Sequence, residues 1–205
     1  MLIINVIKLI IDPSKIPVEF SAITYFTTPL VILLKLKKFQ VWTVYSSLMA
    51  GIFYYLTMMS GGSQIYELYA PANIYTALLC HGALLFIGIV KIRTVVYNKN
   101  HSYKLIIGII LILIWSLYMR TQVVFTERLF IYELIDASFV RNLGYSSPLI
   151  IIGYYVVLSS LIFISFKLLF FFNKISNRNY QKRYGFIKVQ TSSLDVSKSN
   201  KFNYT

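Results

Sequence analysis

An all-α fold, a polytopic bundle of transmembrane helices, is what this sequence predicts, and three observations carry the prediction. Five apolar stretches, over residues 17–35, 41–60, 73–91, 104–120 and 148–172, approach the ~20 residues that a helix needs to cross a hydrocarbon core of ~30 Å. Lys and Arg gather in alternate connections between these stretches. The composition, 57% hydrophobic and 13% charged with a mean hydropathy of +0.66, leaves too little polar surface to cover a water-soluble body of 205 residues. The bilayer is the expected solvent.

Met1 to Ile11 is apolar, but Asn5 and Lys8 interrupt it and Asp12 and Pro13 stop it. It is too short to cross and has no small-residue cleavage site, so residues 1–16 read as an interfacial or re-entrant stub, the remnant of a lost sixth helix. The transmembrane domain is expected over 17–172, and a basic, partly disordered tail over 173–205. Pro17 suits the start of the first span, where a missing N–H costs nothing. Pro29 lies inside that span and frees the carbonyl of Tyr25, so a kink is expected, with nearby Thr hydroxyls satisfying the backbone.

Ser60, Gly61 and Gly62 end the second span, Pro71 precedes the third, and Ser147 with Pro148 forms a cap followed by proline at the first helical position. Thr126 to Asn142 reads as one amphipathic helix on the membrane surface, because Leu129, Tyr132, Ile135 and Phe139 recur at helical spacing and Gly144 follows as a stop. Its carboxylates Glu127, Glu133 and Asp136 alternate with Arg128 and Arg141, the pattern of a solvated face. Tyr66, Tyr69 and Tyr75 on one side, and Trp42, Tyr97 and Tyr103 on the other, are expected to form interfacial belts.

The charges give an orientation in the cell membrane. Lys35, Lys37 and Lys38 follow the first span, and Lys91, Arg93, Lys99 and Lys104 follow the third, which places both connections in the cytoplasm. The other two connections carry Glu67 alone, or Arg balanced by carboxylates, and are expected outside. The tail, with Lys174, Arg178, Lys182, Arg183 and Lys188 near its start, belongs with the cytoplasmic loops, which leaves the N-terminus outside. These lysines and arginines fix topology, and each can also attract anionic headgroups by about 1 kcal/mol. A net charge of +13 raises nucleic acid as a partner, but the basic residues sit at helix ends rather than along one face, so no nucleic acid is expected. The expected partners are membrane lipids.

Polar side chains inside the spans mark the candidate chemistry. His81, in Leu79-Cys80-His81-Gly82-Ala83, is an ionisable group at membrane depth and needs a partner there. Glu19, Ser21 and His81 all lie in the outward half of the bundle, on helices that run in the same direction. A hydroxyl activated by an imidazole that a carboxylate orients is the minimal layout for nucleophilic acyl transfer. The competing reading of His81 is a hydrogen bond that only holds helices together, and a non-catalytic carrier, binding or scaffold protein is the alternative function. With one Cys and two His, no spacing suggests a metal site, and no Gly-rich phosphate loop is present, so no cofactor is expected.

These segments resemble a known family. Ile16-Pro17-Val18-Glu19-Phe20-Ser21-Ala22-Ile23 resembles the Leu-Pro-Leu-His-Leu-Cys-Ser-Ile type of segment in YwaF-like bacterial integral membrane proteins, and Leu79 to Ala83 resembles their later His-containing helix. Helix order and spacing are compatible over residues 13–172. The resemblance implies six spans, with the first shortened here. Such proteins are similar to eukaryotic multi-spanning enzymes that move fatty acyl chains between membrane lipids by means of a Cys and a His. Carried over, the resemblance implies that Ser21 stands where the family has its Cys, His81 where it has its His, and Glu19 where a His is frequent. An alkoxide is harder to generate than a thiolate, so Ser21 would depend wholly on a base.

A cysteine introduced at Glu67 is expected to react with an impermeant reagent only from the outside, and one at Lys99 only from the cytoplasm. Labelling of the Glu67 position from the cytoplasm alone would reverse the orientation.

Overall fold

The computed structural model describes residues 1–12, 16–61, 71–97, 101–123, 129–145 and 147–201. Among these the chain is all-α: α1 (Leu2–Ile11), α2 (Phe20–Leu33), a 3-10 turn (Lys37–Phe39), α3 (Gln40–Gly61), α4 (Pro71–Lys91), α5 (Ser102–Gln122), α6 (Phe130–Ile135), α7 (Ser138–Asn142) and α8 (Pro148–Lys201). Apolar windows long enough to cross a membrane occur in three of them, Ile74–Lys91, Ser102–Gln122 and Pro148–Tyr180. The protein is therefore a membrane protein. Five spans were expected, and the other two differ for separate reasons. The α2 helix has 14 residues, roughly 21 Å at the helical rise, which is less than the hydrocarbon thickness. The α3 helix has 22 residues but is too polar in composition.

That polarity follows from position. Residues 41–51 of α3 are buried almost without interruption, including Thr43, Ser46 and Ser47, and α3 packs against α2, α4 and α5. A helix surrounded by helices need not present apolar side chains to lipid, and small polar residues let its neighbours come close. The three membrane-crossing windows show the converse trend: mean hydropathy rises from 1.8 to 1.9 to 2.4 as the buried share falls from 28% to 22% to 6%.

Glycine makes the close approaches. A Cβ built on Gly51 of α3 would lie 2.7 Å from the Cβ of Leu85 in α4, and one on Gly88 of α4 would lie 2.7 Å from Leu48 of α3. Each helix thus receives the other's leucine over a glycine. On another side of α3, the Trp42 ring fills the space over Gly108 of α5. Trp42 is therefore a packing residue and not part of a belt, and Tyr97 likewise is half-buried, with its hydroxyl donating to the Val41 carbonyl. Tyr75 and Tyr103 are exposed, as a belt requires, while Tyr66 and Tyr69 lie outside the described residues.

The α2 helix runs unbroken across Pro29. Its hydroxyls act locally or laterally: Thr24 donates to the Phe20 carbonyl at 2.7 Å, and Thr28 pairs with Ser47 of α3 at 3.0 Å. The helix ends in a Schellman turn, with the Leu36 N–H on the Val31 carbonyl (3.0 Å) and the Lys35 N–H on the Ile32 carbonyl (3.2 Å). The residue at the left-handed position is Lys35, φ +51°, where glycine is the usual choice and any other residue bears about 1–2 kcal/mol of strain. The segment before α2 is held by α5: Trp115 Nε1 donates to the Pro17 carbonyl at 2.7 Å, and Ser116 to the Val18 carbonyl at 2.8 Å. The stub is the ten-residue α1, packed against α2 with no buried residue, about 15 Å long and too short to cross.

The surface helix expected over residues 126–142 is two helices. Thr126 to Arg128 lie outside the described residues, and Ala137, in the left-handed conformation at φ +52°, separates α6 from α7. That break turns the expected stripe: Ile131 and Ala137 are buried, whereas Phe139 is exposed. Gly144, φ +86°, follows the end of α7 as expected. Asp136 takes both its oxygens to Arg120 of α5 at 2.8 Å.

The α8 helix begins at Pro148 as expected and runs to Lys201. It touches the bundle by one stripe, Phe166, Leu169 and Asn173, with Tyr45 of α3 joined to Ser165 at 3.1 Å. Near its start Tyr154 and Tyr155 donate to the carbonyls of Leu134 and Ile135. Farther along, the Asn173 amide donates to the carbonyls of Ile92 and Val95, both at 2.6 Å, and accepts from the Tyr97 N–H.

Gly88→Ala is expected to cost about 1–3 kcal/mol by overpacking against Leu48, whereas Gly153→Ala, where a Cβ meets nothing within 4 Å, should be neutral. Thermal unfolding in detergent measures both. The hydrogen-bonded Arg120 guanidinium holds the Asp136 carboxyl below the usual carboxylate range. A depressed folded pKa gives stability that is present above the unfolded value and lost as pH falls through the folded one. The pair is exposed, so wild type and Asp136→Asn should differ by at most ~1 kcal/mol at neutral pH and converge in acid.

Candidate functional site

The buried half of the bundle near the start of α2 holds a cluster built from three helices. His81, from the middle of α4, is 6% exposed. Its ring stacks on Tyr54 of α3, with centroids 3.6 Å apart and planes 8° from parallel, and meets Tyr25 of α2 edge-on at 5.2 Å. The Tyr25 hydroxyl lies against one edge of the imidazole, 2.5 Å from Nδ1 and 3.0 Å from Nε2. Nδ1 is also 2.9 Å from the carbonyl of Ala77, one turn earlier in α4.

The tautomer follows from these partners. A carbonyl can only accept, so Nδ1 carries the proton and donates it to Ala77. In that tautomer Nε2 keeps its lone pair and can accept from the Tyr25 O–H 3.0 Å away, while the same oxygen lies nearer to Nδ1, at 2.5 Å. The backbone carbonyl thus fixes the tautomer and the orientation of the ring, and the imidazole presents an unprotonated nitrogen towards α2.

Local sequence explains how the helices bring these groups together. Gly82 gives the space in which the Tyr55 hydroxyl of α3 approaches α4, a Cβ there lying 2.9 Å from it, and that hydroxyl donates to the Leu78 carbonyl at 3.0 Å. Behind His81, Cys80 is a buried free thiol packed with Tyr25, Ala50 and Leu84. Asn5 of α1 reaches the Cys80 sulfur at 3.9 Å, so the stub covers this side of the cluster.

Ser21, Glu19 and His81 are placed differently from one another. Ser21 is half-buried in the first turn of α2, about 40° around the helix from Tyr25 and one turn before it. Side chains on a helix tilt towards its N-terminus, which carries the Tyr25 ring back over the turn that holds Ser21. Among the described residues His81 makes its hydrogen bonds with Tyr25 and Ala77, and none joins it to Ser21. Glu19 is not at the imidazole: its Oε1 accepts from the Ile131 N–H at 3.3 Å, in the first turn of α6. A carboxylate there satisfies a free helix N–H and ties the segment before α2 to the surface helices.

Tyr25 and Tyr54 are the members of the cluster that sequence reasoning missed. A signal existed: a tyrosine in the middle of an apolar span carries a hydroxyl that must find a partner, and both sit at about the depth of His81. Among the described residues no group of three or more His, Cys, Asp or Glu side chains comes together in the manner of a metal site. Compared with known proteins, the chain matches no protein-family model, no curated protein and no solved structure.

Proposed function

We propose that this chain is a membrane-embedded acyltransferase or hydrolase acting on lipids, with Ser21 as nucleophile and His81 as base. The observation that carries the reading is the buried imidazole, its Nδ1–H committed to Ala77 and its Nε2 facing the α2 surface on which Ser21 stands one turn from Tyr25. The resemblance to YwaF-like proteins adds to it. In the reaction, Nε2 takes the Ser21 proton as Oγ attacks an ester carbonyl, and the imidazolium returns that proton to the departing lipid oxygen. A second lipid hydroxyl, or water, then attacks the acyl-serine, with His81 again moving the proton. Tyr25 must release Nε2 for the first step, so its hydroxyl is a gate. Glu19 has no part in this scheme and belongs to the α6 contact. The protein sits in the cell membrane in this proposal, with the basic tail in the cytoplasm against anionic headgroups.

A second reading, a non-catalytic lipid-binding or scaffold protein, is favoured by a specific feature: both nitrogens of His81 already have partners within the bundle. The two readings separate on the variants. With the full chain in phosphatidylcholine vesicles and mass spectrometry of acyl exchange, Ser21→Ala and His81→Ala should each abolish activity, and the double variant should be no worse than either single, since groups acting as a unit are non-additive. Tyr25→Phe should keep or raise the rate, and Ser21→Cys should raise it. All should fold, because one interhelical hydrogen bond in a membrane averages only ~0.6 kcal/mol. Acyl distributions that none of these changes alter, with a protein that unfolds on His81→Ala, would leave the imidazole as a helix tie.

A further inference from the structure

At the basic end of the bundle, away from His81, lies a cavity of about 90 Å³. Val31 and Ile32 of α2, Lys35 just beyond it, Gln40 and Thr43 at the start of α3, and Lys91 at the end of α4 line it. That space holds a compact polyatomic group and not a whole lipid. Its chemistry is one-sided. The two lysines supply ammonium donors and Gln40 an amide donor, while no carboxylate is among the lining residues. The Thr43 hydroxyl is already directed at the Phe39 carbonyl, 3.2 Å away. Lys37 and Lys38, in the adjoining 3-10 turn, add to the positive field.

Lys35 holds its place against its own backbone. It occupies the left-handed position of the turn that ends α2, φ +51°, where glycine would sit without strain. Backbone strain persists where surrounding demands override it, and such outliers gather at ligand sites. The helix C-terminal carbonyls do attract a cation, but Lys37, free of that strain, is at hand for the same purpose. What Lys35 adds is a second ammonium at the cavity besides that of Lys91.

We propose that this cavity binds a phosphate group, held between Lys35 and Lys91 with Gln40 as the neutral donor, and that an anionic lipid headgroup at the membrane surface supplies it. The site stands apart from the acyl-transfer reading, since it lies roughly 20 Å along α2 from Ser21.

The test uses the full chain in phosphatidylcholine nanodiscs, titrated with short-chain phosphatidic acid and, separately, with inorganic phosphate, with binding read by native mass spectrometry and stability by thermal unfolding. Lys35→Gln and Lys91→Gln should each weaken phosphatidic acid binding about fivefold, and the pair about thirtyfold. Lys35→Gly is decisive: it should lose as much affinity as Lys35→Gln while unfolding at a temperature no lower than wild type. Inorganic phosphate that binds as tightly as the lipid would support the cavity and assign it to the soluble anion. Wild-type affinity in the lysine variants, or affinity lost only on truncation after Asn173, would overturn the proposal. So would a Lys35→Gly protein that is less stable than wild type.

Discussion

Inside a bilayer, apolar side chains gain little by leaving lipid for one another, so helices associate through close packing and through hydrogen bonds that hydrocarbon cannot replace. The buried half of α3 is where this protein meets that requirement. Gly51 and Leu48 interlock with Leu85 and Gly88 of α4, Trp42 lies over Gly108 of α5, and Ser47 pairs with Thr28 of α2. Tyr45 reaches Ser165 of α8. Remove α3 and the remaining helices lose the surface that sets their separation. The tyrosines that enclose His81 depend on the same helix, since Tyr54 stacks on the imidazole from α3 and Tyr55 anchors α4 beside it.

This arrangement explains which parts of the fold could be read from sequence. Helices that face lipid announce themselves by hydropathy, and α4, α5 and α8 lie near their expected positions. The central helix was also found as an apolar stretch, which did not reveal that its Thr43, Ser46 and Ser47 are buried among the neighbouring helices. The break at Ala137 carried no warning, because alanine favours helix and nothing local requires a left-handed residue there. Pro29, in turn, predicted a disturbance of α2 that did not interrupt the helix.

The candidate site was partly legible for a similar reason. Depth along a helix can be counted, so Ser21 and His81 were both assigned to the outward half of the bundle. Azimuth cannot be counted across helices. Glu19 proved to serve α6, and the groups that enclose His81 are Tyr25 and Tyr54, which the sequence reading had not singled out. An imidazole oriented by a backbone carbonyl, as here by Ala77, needs no acidic partner in the sequence, and that is why a search for a third charged residue led away from it.

Asn173 ties α8 to segments far from it along the chain. Its amide joins the carbonyls of Ile92 and Val95, 81 and 78 residues earlier, and Tyr45 waits for a serine 120 residues later. Without α8 those carbonyls and that hydroxyl lose these partners. The inner polar contacts of the bundle thus depend on a helix whose hydropathy alone would assign it wholly to lipid.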